Sequence, residues 1–112
     1  MKKLTVALVL FVGLGLVGAS FQAEETPEVL MQAGLEALYT KGDAEAAAAT
    51  FRKVLEQNPS HYGATFQLAM ALDRAGKPAE ARPLWEKALK MAEGYNDKAT
   101  ADAARARLAA KP

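Results

Sequence analysis

The feature of this chain that most constrains its fold is an internal repeat with a period of 34 residues. When segment 40–59 is placed above segment 74–93, residues of the same kind coincide. The matched pairs are Gly42 and Gly76, Ala47 and Ala81, Phe51 and Trp85, Lys53 and Lys87, and Leu55 and Leu89. Self-similarity at such a period indicates one supersecondary unit that is built twice and stacked on itself.

Each unit is predicted to be a pair of helices. From Glu28 onward alanine is abundant, β-branched residues are sparse, and no stretch alternates with a period of two, so strands are not indicated. Helices are predicted to start at Thr26, with Pro27 as first helical residue, and at Asp43. Pro83 lies inside a predicted helix and implies either a kink or a late start. Helix ends are predicted at Gly42, Asn58-Pro59, Gly76 and Gly94.

The repeated residues resemble those of the tetratricopeptide-repeat family over residues 27–93. In the second unit the matching positions are Leu68, Ala69, Leu72, Gly76, Ala81, Trp85 and Lys87–Leu89. In the first unit the second helix matches at Gly42, Ala47, Phe51, Val54-Leu55 and Pro59. The family's small residue on the first helix falls on Leu35, whereas Gly34 stands one place early, so the register of residues 28–40 is open by one residue.

The resemblance implies an all-α solenoid of two helix-turn-helix repeats, residues 27–60 and 61–94, followed by a capping helix and tail, residues 95–112. Ala47 and Ala81 are expected where the two helices of a unit cross, and Phe51 and Trp85 in the wedge between units. Asn96 or Asp97 is predicted to cap the closing helix. The period places Asp102 where a leucine is expected, which leaves open whether Arg105 or Arg107 faces the groove of the solenoid.

The N-terminal residues 1–19 have the three parts of a secretory signal peptide. Lys2 and Lys3 precede an uncharged apolar run that ends in small residues, with a predicted cut after Ala19 or after Ser20. A signal-peptide helix is therefore expected, with residues 20–26 as a linker. An uncleaved anchor is the alternative, although 16 uncharged residues fall short of the ~20 that span a bilayer.

Within this run the glycines spell G-x-G-x-x-G, the pattern of a dinucleotide-binding turn. That site also needs a second strand and a ribose-binding acid about 20 residues further on. Glu36 stands near that distance, but the intervening segment contains Thr26-Pro27 and no second strand. The glycine pattern is therefore interpreted as part of the export signal, and no cofactor is expected.

Composition argues against several functions. Removal of residues 1–19 takes two of the 14 basic residues and leaves 12 against 13 acidic ones, so nucleic-acid or stable membrane binding is not expected. The chain has no cysteine, which excludes disulfides and thiolate chemistry. His61 is the single histidine and is interpreted as a solvent-facing loop residue without a metal site. No catalytic cluster is recognisable, and we do not expect an enzyme.

The resemblance implies that the first helix of each unit lines a concave face. The family's groove positions fall on Val29, Gln32, Glu36 and Tyr39, and on Gly63, Phe66, Met70 and Asp73. Tyr39, Phe66 and Met70 are predicted as apolar contacts, with Gln32, Glu36 and Asp73 setting the polarity. Burial of Phe66 and Met70 by neighbouring helices is the alternative.

The sequence thus predicts an exported, periplasmic or secreted, interaction module. Its predicted role is that of an accessory or scaffold factor of the cell envelope that binds a partner helix or peptide in the groove. The alternative is a self-associating repeat protein, because solenoids generally need three or more repeats and two with a cap bury a modest core.

Overall fold

The computed structural model describes residues 24–110, and the predicted signal peptide lies outside these residues. All regular secondary structure within 24–110 is helical, and each helix packs mainly against its neighbours in sequence. The all-α solenoid prediction is confirmed. No described helix combines the length and apolar character needed to cross a bilayer. The helices are α1 (Pro27–Leu35, continued by a π-helical segment, Glu36–Thr40), α2 (Ala44–Gln57), α3 (Tyr62–Arg74), α4 (Pro78–Gly94) and α5 (Lys98–Ala109).

Side chains cap the start of four helices. Thr26 and Asp43 accept hydrogen bonds from Val29 N (3.2 Å) and Ala46 N (3.0 Å), which confirms both predicted caps. For α5 the cap is Asp97, which accepts from Thr100 N at 3.1 Å. These bonds satisfy backbone N–H groups that the first turn of a helix leaves unpaired.

Two helix ends are closed by the same backbone turn, in which one residue takes the left-handed conformation. Gly76 has φ +77°; its N–H donates to the Asp73 carbonyl (3.1 Å), and the next N–H donates to Leu72 (2.8 Å). Asn96 repeats this arrangement at the end of α4 with φ +58°. Glycine and asparagine tolerate this conformation best. Asn96 therefore ends α4, and Asp97 is left to start α5.

The π-helical segment resolves the register of the first helix. The capping residues Thr26 and His61 lie 35 residues apart, whereas Gly42 and Gly76 lie 34 apart, so α1 holds one extra residue. That residue is accommodated where Lys41 N–H donates to the Glu36 carbonyl five residues earlier, at 3.0 Å.

Before the π-helical segment, Gly34 therefore corresponds to Ala69. A Cβ placed on Gly34 would lie 2.5 Å from Phe51 Cε1. Gly34, and not Leu35, thus occupies the close crossing of α1 and α2.

Phe51 and Trp85 occupy equivalent places in one core. Their exposed fractions are 0% and 2%, and both belong to the same buried cluster as Leu68, Ala69 and Leu72 of α3. Residues of α1, α2, α3, α4 and α5 all contribute to this cluster, so the core is continuous along the stack. The duplication inferred from the sequence is therefore a structural one.

The closing helix α5 is displaced by two residues from the 34-residue period, because α4 runs on to Gly94. The caps His61 and Asp97 are accordingly 36 residues apart. In this register Asp102 is exposed, while Ala101 and Ala104 are buried. The helix α4 itself begins at Pro78 and contains Pro83, so the late start considered from the sequence is wrong.

Candidate binding groove

The candidate groove has the open face of α3 as its floor. One side of α3 is buried in the core through Ala64, Thr65, Leu68, Ala69, Ala71 and Leu72. The opposite side carries half-buried residues, which are Gly63, Phe66, Gln67, Met70 and Asp73. The four groove residues predicted on α3, which are Gly63, Phe66, Met70 and Asp73, all lie on this open side.

Tyr39 stands at the edge of this floor and is held from two directions. Its hydroxyl donates to Gln67 Oε1 at 2.8 Å, and the Arg74 guanidinium lies 4.8 Å from the centre of its ring. Nevertheless 49% of Tyr39 is exposed. A fixed but accessible aromatic ring can contact a partner without losing much side-chain entropy.

Phe66 and Met70 are half-buried. This lies between the two alternatives considered from the sequence, which were exposure in the groove and burial by neighbouring helices. Phe66 meets Trp85 edge to face, with ring centres 5.4 Å apart, and Met70 packs against the main core cluster. Beside them a Cβ on Gly63 would lie 3.4 Å from Met31 Cε, so the Met31 side chain reaches the floor there. The floor therefore combines apolar side chains with a shallow point at Gly63.

Asp73, which the sequence predicts to set the polarity of the groove, is held in contacts between helices. Its Oδ2 accepts hydrogen bonds from Trp85 Nε1 and from Arg107 Nη1, both at 2.9 Å. The Arg107 guanidinium also lies 5.5 Å from the centre of the Trp85 ring. Asp73 thus joins α3, α4 and α5 at one end of the groove.

The two arginines of α5 face different ways. Arg107 points to α3 through Asp73, whereas Arg105 pairs with Glu93 (2.7 Å) and Asp102 (3.2 Å). This settles a question that the sequence left open, because the two-residue displacement of α5 rotates each side chain away from its place in the 34-residue period.

On α1 the remaining predicted residues are exposed. Glu36 Oε1 lies 3.8 Å from Lys41 Nζ, and Gln32 projects into solvent. Because of the extra residue in α1, the equivalent of Phe66 is Met31, which is half-buried. The structure therefore places Tyr39 with α3, and leaves Gln32 and Glu36 outside any contact between helices.

Sequence reasoning missed Gln67, Arg74 and Met31. Gln67 and Arg74 lie seven residues apart on α3, a helical spacing that places them on one side and could have indicated them. The register of residues 28–40, which the sequence left open by one residue, allows either Gln32 or Met31 at the position equivalent to Phe66, and the π-helical segment selects Met31. His61 was also misjudged: it is half-buried, and its Nδ1 accepts from Ala64 N at 3.1 Å as the cap of α3.

A second polar joint fixes α5 beyond the groove. The Tyr62 hydroxyl donates to Asp97 Oδ2 at 2.7 Å, and the Tyr62 and Tyr95 rings lie 5.1 Å apart. Burial raises the pKa of Tyr62. Hydrogen bonds from Tyr62 and then from Thr100 lower the pKa of Asp97. The joint ties the starts of α3 and α5 together.

The part of the chain that the structure describes contains no group of three His, Asp or Glu residues able to hold a metal ion. The candidate groove is an apolar strip with hydrogen-bonding groups at its edges. Such a surface suits the binding of a side chain or a helix face.

Comparison with protein families agrees with this arrangement. The family model for the tetratricopeptide repeat matches residues 34–97 and, in a second overlapping placement, residues 66–111. The chain belongs to the tetratricopeptide-repeat family. The second match includes α5, which agrees with its position as a further first helix. Searches of curated proteins and of solved structures returned no match. Tetratricopeptide repeats generally mediate binding between proteins.

Proposed function

We propose that this tetratricopeptide-repeat protein is an exported interaction module that binds a helix or an extended peptide of a partner protein in the candidate groove. We propose further that it acts as an accessory or scaffold factor of the cell envelope. The observation that carries the groove assignment is Tyr39, which is 49% exposed although Gln67 and Arg74 hold it in place. Met70 and Phe66 extend the apolar surface from Tyr39 along α3.

Preorganisation of Tyr39 favours binding at this surface. An aromatic side chain that is already oriented loses little freedom when a partner covers it, and such residues are enriched among those that dominate binding. Asp73 and Arg107 compensate each other at one end of the groove, so a partner has no unpaired charge to satisfy there. The proposed ligand is therefore a mainly apolar segment.

The test compares wild type and two variants of the mature protein as baits in extracts of the native cell envelope. Tyr39→Ala with Met70→Ala is expected to reduce retention of the partner at least tenfold. Tyr95→Ala is the matched control, because it removes an exposed tyrosine outside the groove (66% exposed). Equal retention by wild type and the double variant would contradict the groove assignment.

The export proposal is supported by the residue pattern of 1–19. Its test is the mass of the protein purified from its native cell, which is expected to lack those residues. A mass that includes them would favour the anchor alternative.

Self-association is a second candidate because of Val29. By the 35-residue relation Val29 corresponds to Ala64, which is buried against its neighbours, yet 47% of Val29 is exposed. A second copy could cover this end of the stack. Sedimentation at micromolar concentration separates the two proposals: a dimer that Val29→Ser dissociates supports self-association, and a monomer removes it.

A further inference from the structure

The second helices of the two repeats, α2 and α4, present equivalent faces to different surroundings. On α2, Ala48 is buried between two exposed charges that form ion pairs with the next repeat. Glu45 Oε1 lies 3.2 Å from Lys77 Nζ, and Arg52 Nη2 lies 3.2 Å from Glu80 Oε1. The start of α4 therefore lies over this face of α2.

On α4 the same face is open. The residues that follow Glu45, Ala48 and Arg52 by 34 positions are Ala79, Arg82 and Glu86, and all three are exposed. No helix within residues 24–110 covers them. A cavity of about 400 Å³ lies here between α4, α5 and the end of α3. Its walls combine Pro78, Ala79, Arg82, Trp85 and Leu108 with the ion pair of Asp73 and Arg107.

The walls of this cavity suit the side chains of a helix. Pro78, Ala79 and Leu108 are apolar or small, and its volume falls within the ~300–1,000 Å³ of ordinary binding pockets. Arg82 is the equivalent of the buried Ala48, and its guanidinium is paired and not directed into the cavity as a free charge. Its Nη1 donates to the Leu108 carbonyl at 3.1 Å, which anchors the guanidinium on α5 and leaves the aliphatic stem as a wall.

We propose that the face of α4 defined by Ala79, Arg82 and Glu86 receives a helix of a partner protein. The partner helix packs on α4 in the same way as α4 packs on α2. It is amphipathic, with small apolar residues toward the cavity and a basic residue opposite Glu86. The basic residue is required because Arg52, which Glu86 replaces on α4, pairs with the acid Glu80. Glu86 has the opposite charge, so its partner must be basic. The site adjoins the candidate groove through Asp73 and Arg107, but it does not use Tyr39, Phe66 or Met70.

The test uses two peptides derived from α4, because α4 is the helix whose packing on α2 the partner helix is proposed to reproduce. One is segment 76–94 of this chain, and the other is the same segment with Glu80→Lys. In the unchanged peptide Glu80 would meet Glu86, whereas lysine would pair with it. Titration into the full mature protein is followed by NMR, at the amides of Ala79, Arg82 and Leu108.

The Glu80→Lys peptide is expected to bind about threefold more tightly than the unchanged peptide, the size expected for one exposed ion pair gained in place of a like-charge contact. Glu86→Lys in the protein should reverse the order of the two peptides. Glu56→Lys, an exposed charge change on α2, is the matched control and should leave the order unchanged. Ala79→Trp, which fills the cavity from an exposed position, should weaken both peptides at least fivefold.

Three results would overturn the proposal. The first is a shift pattern confined to Gln67 and Met70, which would place the peptide in the groove. The second is an order of affinities that Glu86→Lys does not change. The third is a dimer of the protein alone that Ala79→Trp dissociates, since a second copy would then cover this face. Loss of groove binding by Tyr39→Ala with Met70→Ala leaves the result here unaffected, so the two proposals fail separately.

Discussion

Substitution of Gly34 by alanine is the perturbation that most directly tests how the first repeat is packed. The added Cβ would lie 2.5, 2.7 and 2.9 Å from three ring atoms of Phe51. Carbon atoms pack best at about 3.5–4.0 Å, so the overlap is about 1 Å. Phe51 is fully buried, and protein cores are packed densely enough that a shift of its ring would displace its neighbours.

The expected cost follows from two opposing contributions. Overpacking in a dense core costs about 1–3 kcal/mol. Alanine in place of glycine inside a helix returns about 0.5–1 kcal/mol. We therefore expect Gly34→Ala to lower the free energy of unfolding by about 1–2 kcal/mol, which for a domain of this size lowers the Tm by about 5–15 °C.

The assay is urea unfolding followed by circular dichroism, with Gly94→Ala as the matched control. A Cβ on Gly94 meets nothing within 4 Å, and that variant should gain about 0.5 kcal/mol from helix propensity. The double variant Gly34→Ala with Phe51→Leu should show a favourable coupling of more than about 0.5 kcal/mol, because the smaller side chain relieves the overlap. A Gly34→Ala protein as stable as wild type would refute the assignment of Gly34 to the helix crossing.

Three further predictions concern the joints of the stack and the export segment. Asp73→Ala should lower the free energy of unfolding by about 2–3 kcal/mol and alter Trp85 fluorescence, because Trp85 Nε1 and Arg107 lose their shared acceptor; an unchanged urea midpoint would contradict the role of Asp73. Because hydrogen bonds lower the pKa of Asp97 in the folded protein, their stabilisation is present above the ordinary value of 3.8 and is lost as the pH falls below it. Tyr62→Phe should therefore flatten the acid side of the stability profile measured by thermal unfolding, and an identical profile would show that the Tyr62–Asp97 bond contributes nothing. Mass spectrometry of the native protein should find Phe21 or Ser20 as the first residue, and Met1 at that position would contradict cleavage.

The parts of the fold that follow from local chemistry could be predicted. Gly42 and Gly76 take the left-handed conformation that a glycine in a helix-ending turn indicates. Thr26 and Asp43 cap helices as their side chains favour. Phe51 and Trp85 share the core because equivalent positions in stacked units have equivalent neighbours.

The errors arose where the repeat changes length. A strict 34-residue period assumes that every helix has the same number of residues. The π-helical segment adds one in α1, and the extension of α4 to Gly94 displaces α5 by two. Gly34, which stands one place early, and the helix end predicted at Gly94 indicated both places. The π-helical segment itself and the resulting displacement of α5 depend on packing between helices. For this reason Gln32 was assigned as the equivalent of Phe66, although Met31 occupies that position. Asp102 was likewise assigned as the equivalent of Leu68, although Ala104 occupies that position.

The candidate site was predictable in part. The spacing of Phe66, Met70 and Asp73 indicated that they share one side of α3, and all three are half-buried there. The partners of Asp73 come from α4 and α5, and the partners of Tyr39 come from α3. Contacts between residues so far apart in sequence are determined by how the units stack, and the sequence pattern alone does not define them.

The most direct test of the central claim is photo-crosslinking in the native cell with a benzophenone amino acid at Tyr39 and, separately, at Tyr95. Both positions are exposed, but only Tyr39 lies at the candidate groove. Binding in the groove predicts a discrete crosslinked partner from position 39 that position 95 does not give, and Met70→Ala should diminish this adduct. The same adduct from both positions, or an adduct from position 95 alone, would contradict binding in the groove.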